Sequence, residues 1–177
     1  MHLPKGIRVR KAEGRTLNDM LLSGELDALI SAHPPESFKQ GHPSVRRLFG
    51  NVSEEEKSYW RKTGIFPIMH AIVVKKHLLD RNPWIANNLQ KAFEESKNHS
   101  LRRAREFTAS RFPFPLLQQF VHEIGQEFGE DFWPYGVEAN RKTLEAFLEY
   151  AHRQGVTQRR LGIEDLFPPN VMSHFKI

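Results

Sequence analysis

The sequence contains no cysteine. Disulfide staples, thiolate catalysis and cysteine-based zinc sites are therefore excluded. It has no run of about 18 apolar residues, so no segment reads as membrane-spanning. The opening Met1-His2-Leu3-Pro4-Lys5-Gly6 lacks an apolar core, so no signal peptide is expected and the cytoplasm is the expected location. Nine histidines are present without one His-x-x-x-His pair, which removes the local zinc signature. There is no phosphate-binding glycine loop, no dinucleotide glycine pattern and no nucleophile elbow. Basic residues come as scattered pairs, Arg46-Arg47, Lys75-Lys76, Arg102-Arg103 and Arg159-Arg160. None forms the long basic run of a nucleic-acid arm, so nucleic acid is not an expected partner. Internal repeats and low-complexity stretches are absent.

What remains is an ordinary folding composition. Hydrophobic residues make up 39% of the 177 residues and charged residues 27%, enough apolar content for a core and too much for disorder. The length suits one domain or parts of two small lobes. A formal charge of +5 and a pI near 9.6 suit an anionic ligand without selecting one.

Local signals order the chain into elements. Ile7-Arg8-Val9-Arg10 alternates as a short strand does. Thr16 with Asp19 resembles a capping box opening a helix with Leu17, Met20 and Leu21 on one face, and Gly24 closes it. Leu26 to Ser31 then reads as a buried strand, and strand, helix and strand together have the size of one βαβ unit. His33-Pro34-Pro35 begins a loop that runs to Phe49. Ser53 with Glu56 marks a helix to about Arg61, stopped at Thr63-Gly64. Ile65 to Val74 is the most apolar run, and Pro67 places the start of its strand near Ile68. Asn82-Pro83 opens a long helix with Ile85, Leu89 and Phe93 on its core face, reaching about Arg105. A further helix follows Leu116 and closes at Gly129. The aromatic turn Phe132-Trp133-Pro134-Tyr135-Gly136 precedes a last long helix closed at Gly155, and Glu164 to Phe167 is briefly helical. Three strands make a thin sheet for an α/β domain, so further strands are expected from a missing N-terminal segment or from self-association.

Several phrases, in order along nearly the whole chain, resemble the 4,5-dihydroxyphthalate decarboxylase family. They are Gly24 to Pro35 (GELDALISAHPP), Val45 to Phe49 (VRRLF), Thr63 to Val74 (TGIFPIMHAIVV), Asn82 to Lys97, Phe132 to Gly155 and Glu164 to Pro169 (EDLFPP). TGIFPIMH together with WPYG is the more specific pair. The resemblance implies an α/β, two-lobed fold similar to type II periplasmic binding proteins, of which this chain would be the C-terminal half. Residues 1–62 would then end the second lobe, and 63–177 would complete the first, helix-rich lobe. It also implies decarboxylation of 4,5-dihydroxyphthalate to 3,4-dihydroxybenzoate and carbon dioxide. The alternatives are a non-catalytic solute-binding protein for a small anionic ligand and an inactive truncated product.

The candidate site residues follow from chemistry and position. His70, at the end of Pro67-Ile68-Met69-His70, has the near-neutral pKa of a proton donor; a hydrogen-bonded structural histidine is the plainer alternative. Arg46 and Arg47 offer guanidinium forks for a carboxylate, or a solvated pair. His33 and His42 share that loop region. Thr63 and Tyr59 offer hydroxyls, and Tyr59 equally suits packing on a helix face. Glu54, Glu55 and Glu56 read as a solvated first helical turn, and Phe132, Trp133 and Tyr135 as turn packing. No cofactor and no metal ligand is expected, although a site assembled from distant histidines or a divalent metal stays compatible. The expected partner is a small anionic aromatic substrate.

Overall fold

The computed structural model describes residues 4–108 and 112–172. Among them the regular structure is helical. In chain order the helices are α1 (Leu17–Leu22), α2 (Glu36–Lys39), α3 (Val52–Thr63), α4 (Lys76–Arg81), α5 (Trp84–Arg105), α6 (Leu117–Phe128) and α7 (Arg141–Arg153), with single 3₁₀ turns at Glu138–Asn140, Ile163–Asp165 and Pro169–Val171.

No strand and no sheet occur among the described residues. This overturns the expected α/β, periplasmic-binding-protein-like fold. Each of the three expected strands has the composition of extended backbone but no neighbour. Ile7 to Arg10 is exposed along its length, and Leu26 to Ser31 is interrupted by a bend at Asp27 and leaves Ile30 wholly exposed at 101%. Ile68 to Val74 shows no helix, turn or bend and is unpaired among the described residues. Alternation and β-branching favour extension, yet a strand is completed only when a second backbone takes up its N–H and C=O groups.

The chain divides into two compact units, residues 5–56 and the rest. In the smaller unit the Thr16 hydroxyl accepts from the Asp19 amide at 3.1 Å, the expected cap of α1, and Gly24 follows with a φ of +76°. The Asn18 side-chain oxygen accepts from the Ser37 amide at 3.0 Å and ties α1 to α2, and Ser37 is buried. At the start of α3 the expected Ser53 cap is replaced by Asn51, whose side chain accepts from the Glu54 amide at 3.2 Å.

In the larger unit, α3 ends at Thr63 and Gly64 leaves it at a φ of +61°. The long α5 has its expected extent. Its entry differs, because Asn82 closes α4 by donating to the Leu78 carbonyl rather than capping α5. Gly129 and Gly155 close α6 and α7 at φ of +92° and +73°. Val137, Leu148 and Ile163 form the buried core here, packed by Leu144, Leu161, Phe167 and Met172.

Candidate functional site

The seven candidate residues fall into two groups, one in each unit. In the smaller unit, His42 holds a turn: its ring Nδ1 accepts from the Ser44 amide at 3.3 Å and its carbonyl accepts from Val45 at 3.0 Å. His33 is exposed beside the start of α2, with its amide donating to Ser31 Oγ at 3.3 Å. Arg46 and Arg47 lie in the exposed stretch that follows the turn, and the Arg47 guanidinium sits 5.5 Å from the centre of the Phe38 ring. A guanidinium resting on an aromatic face keeps its fork edge open to a carboxylate while its flat face is packed.

In the larger unit, the Thr63 hydroxyl is committed to the end of α3. It donates to the Tyr59 carbonyl at 2.7 Å and accepts from the Ile65 amide at 3.1 Å. It thereby ties the last turn of α3 to the residue that follows Gly64. The Tyr59 side chain is exposed. His70 stands on the run 64–75, exposed and seven residues beyond Thr63.

The base of that run is held by an aromatic cluster. Phe66 meets Phe128 edge-on at 5.8 Å and Trp133 at 5.2 Å, and Trp60 packs against Phe128 at 5.5 Å. Beside it Arg61 grips Glu127 through two hydrogen bonds of 2.7 Å. Those bonds, opposed by partial desolvation and aided by the charges of Arg61 and Lys57, hold the Glu127 carboxyl below the usual range.

A group not read from the sequence centres on Lys97. Its side chain is 6% exposed, and its ammonium lies 2.8 Å from Glu94 Oε1 and 2.9 Å from Asp131 Oδ1. The ring of Tyr135 lies 4.9 Å away. Burial alone would lower the lysine pKa, but the hydrogen bonds and charges of Glu94 and Asp131 outweigh it and the net shift is upward. Lys97 is therefore a fixed cation rather than a general base or an amine nucleophile at neutral pH. It anchors the aromatic turn 132–136, which Asn140 fastens from the other side by donating to the carbonyls of Pro134 and Gly136 at 2.8 and 2.9 Å. Gly136, at a φ of +92°, has the Gln90 amide nitrogen 3.1 Å from where a Cβ would stand. The Glu94/Lys97 spacing of three was the sequence signal available. A lysine on a long polar helix ordinarily faces water, and Asp131, 34 residues away, is what draws this one inward.

Two open cavities lie elsewhere in the larger unit. One of about 310 Å³ lies between α7 and residues 160–164; its Arg160 is paired with Glu149 at 2.9 Å. The other, about 330 Å³, is lined by His99, Arg102, Arg103 and Glu106. None of the seven candidates lines either cavity. Among the described residues no group of three or more His, Asp or Glu side chains could hold a metal ion, and no helix is long and apolar enough to cross a membrane.

No protein-family model matches the chain. Two curated proteins do, and they make the chain a homologue of proteins named as decarboxylases. The 4,5-dihydroxyphthalate decarboxylase of Comamonas testosteroni is 35% identical over 178 residues, covering 100% of this chain. The 4,5-dihydroxyphthalate decarboxylase of Pseudomonas putida is 40% identical over 62 residues, 34% of this chain and 24% of its own length. The resemblance read from the phrases of the sequence is thus shown. The chain spans 54% of the length of the Comamonas testosteroni relative.

Proposed function

We propose that this chain forms part of a decarboxylase acting on a dihydroxylated aromatic dicarboxylate, 4,5-dihydroxyphthalate, and yielding 3,4-dihydroxybenzoate and carbon dioxide. The observation that supports this reading most is the similarity to a protein of that name along 100% of the chain. The chemistry asks for few groups. Withdrawing the proton from the ring hydroxyl para to the departing carboxylate pushes electron density onto the carbon that bears it. That carbon takes a proton, the bond to the carboxylate breaks, and its electron pair stays with the ring as carbon dioxide leaves. His70 is assigned as the proton donor, and Arg46 or Arg47 as the anchor of the carboxylate that stays. His33, His42, Thr63 and Tyr59 are assigned to hydrogen bonds around the substrate, Thr63 through what its hydroxyl can spare from the end of α3. The exposed positions of His70, Arg46 and Arg47 support these roles by leaving all three accessible to a ligand.

The test is to incubate the chain with 4,5-dihydroxyphthalate, alone and co-expressed with the remaining portion of the Comamonas testosteroni relative. Carbon dioxide and 3,4-dihydroxybenzoate released together support the reading. Saturable binding of the intact dicarboxylate without release would favour a solute-binding protein instead.

A further inference from the structure

We propose that the cavity at the end of α5, lined by His99, Arg102, Arg103 and Glu106, is a binding site for a small oxyanion, a phosphate or carboxylate group. It lies in the larger unit, and none of the residues assigned to the decarboxylase reading lines it. The proposal is therefore independent of that reading.

The helix supplies the first argument. Residues three and four apart stand on one side of a helix, so His99, Arg102 and Arg103 share the same space. Two guanidiniums side by side repel each other, and an anion between them relieves that repulsion. The chain beyond α5 folds back here. The Arg103 guanidinium lies 5.7 Å from the centre of the Phe112 ring, and Gln118 at the start of α6 donates to the Glu106 carbonyl at 3.3 Å. A guanidinium packed on a ring through its flat face keeps its N–H edge for an acceptor.

The charge balance supplies the second. Elsewhere in the larger unit arginines hold carboxylates: Arg61 holds Glu127, Arg141 holds Glu138, Arg159 holds Asp165 and Arg160 holds Glu149. Among the described residues no carboxylate pairs with His99, Arg102 or Arg103. Glu106, the carboxylate in the lining, is engaged by Thr108, whose amide and hydroxyl donate to its Oε1 at 3.0 and 2.6 Å. Cations in a last helical turn also complement the helix dipole. Arg81 and Arg153 stand in the last turns of α4 and α7 in that way, yet neither lines this cavity.

Size and lining select the ligand. At about 330 Å³ the space is at the small end of ligand pockets. Its described lining holds no aliphatic or aromatic side chain, so an apolar body finds nothing to cover it. Two guanidinium forks and an imidazole N–H instead match the several acceptor oxygens of an oxyanion.

The experiment is a magnetic-resonance titration of the chain at fixed ionic strength, with inorganic phosphate and separately with acetate, following the histidine-ring and arginine side-chain signals. At least one anion should give saturable shifts at His99, Arg102 and Arg103 with a Kd of about 1 mM or tighter. The anion that binds more tightly identifies phosphate or carboxylate as the chemistry of the site. Arg102→Gln and Arg103→Gln should each weaken that binding about 10-fold or more, with the helical circular dichroism unchanged. Arg153→Gln, in the last turn of α7, should leave it as it was. Shifts that rise without saturating overturn the site, as do shifts spread equally to Arg81 and Arg153 or an affinity indifferent to both cavity variants. Turnover of 4,5-dihydroxyphthalate is not part of the readout, so failure here and failure of the decarboxylase reading are told apart.

Discussion

The ammonium of Lys97 lies 2.9 Å from Asp131, joining the middle of α5 to the loop that leads into the aromatic turn. One end of this pair is buried and the other is about half exposed, at 53%, so the two partners are not equivalent. Lys97→Met should cost about 1.5–3 kcal/mol, the range for losing hydrogen bonds to a charged group, and no more, because the carboxylates it leaves can turn to water. Asp131→Asn should cost less, since Glu94 still holds the ammonium. Urea midpoints of the two variants check the order, and an equal or reversed order would contradict it.

Lys97 and Glu127, two of the shifted groups, set opposite pH limits. Lys97 is raised in the folded chain, so its contribution is complete below the unfolded lysine value of roughly 10.4 and fades as pH climbs through the higher folded value. Glu127 is lowered, so its contribution is complete above the unfolded glutamate value of about 4.3 and fades as pH falls through the lower folded value. Lys97→Met should flatten the alkaline limb of a stability profile and Glu127→Gln the acid limb. Denaturant midpoints across pH read both.

Gly64 and Thr63 together turn the chain out of α3. Gly64→Ala meets a φ of +61° and the Lys142 ammonium nitrogen at 3.3 Å from the new Cβ. Lysine is flexible, so the backbone strain dominates, and a loss of about 1–2 kcal/mol is expected. Thr63→Val should cost about 0.5–1.5 kcal/mol, with Thr63→Ser restoring most of it. Thermal unfolding of the three variants tests this.

The helix ends were legible in the sequence because their signals are local. Thr16, Gly24, Gly64, Gly129 and Gly155 act within one turn of themselves, and each does so in the structure. The strands were not. Ile68 to Val74 has strand composition, but composition cannot provide the second backbone, and none of the described residues does. Lys97 was missed for the related reason that its burial depends on Asp131, far along the chain. Of the candidate site, the residue types were legible; the use of the Thr63 hydroxyl at its own helix end and the seating of Arg47 on Phe38 needed coordinates.

The two arginines can be separated by that seating. Arg47→Lys keeps the charge but loses the flat face over Phe38 and the fork, whereas Arg46→Lys loses only the fork. If Arg47 is the anchor, Arg47→Ala should weaken binding of 4,5-dihydroxyphthalate by roughly 2 kcal/mol or more, and Arg47→Lys should recover only part. Titration calorimetry reads both; unchanged affinity in the Arg46 and Arg47 variants alike would remove the anchor from this loop.

The most direct measurement is release of labelled carbon dioxide from carboxyl-labelled 4,5-dihydroxyphthalate, with 3,4-dihydroxybenzoate followed in the same samples. The samples are the chain, alone and co-expressed with the remaining portion of the Comamonas testosteroni relative, each with wild-type His70 and with His70→Asn. The account predicts one carbon dioxide per 3,4-dihydroxybenzoate formed, and turnover at least ~100-fold lower in His70→Asn with substrate binding retained. Wild-type turnover in His70→Asn would contradict the role of His70, and no carbon dioxide from any wild-type sample would contradict the decarboxylase itself.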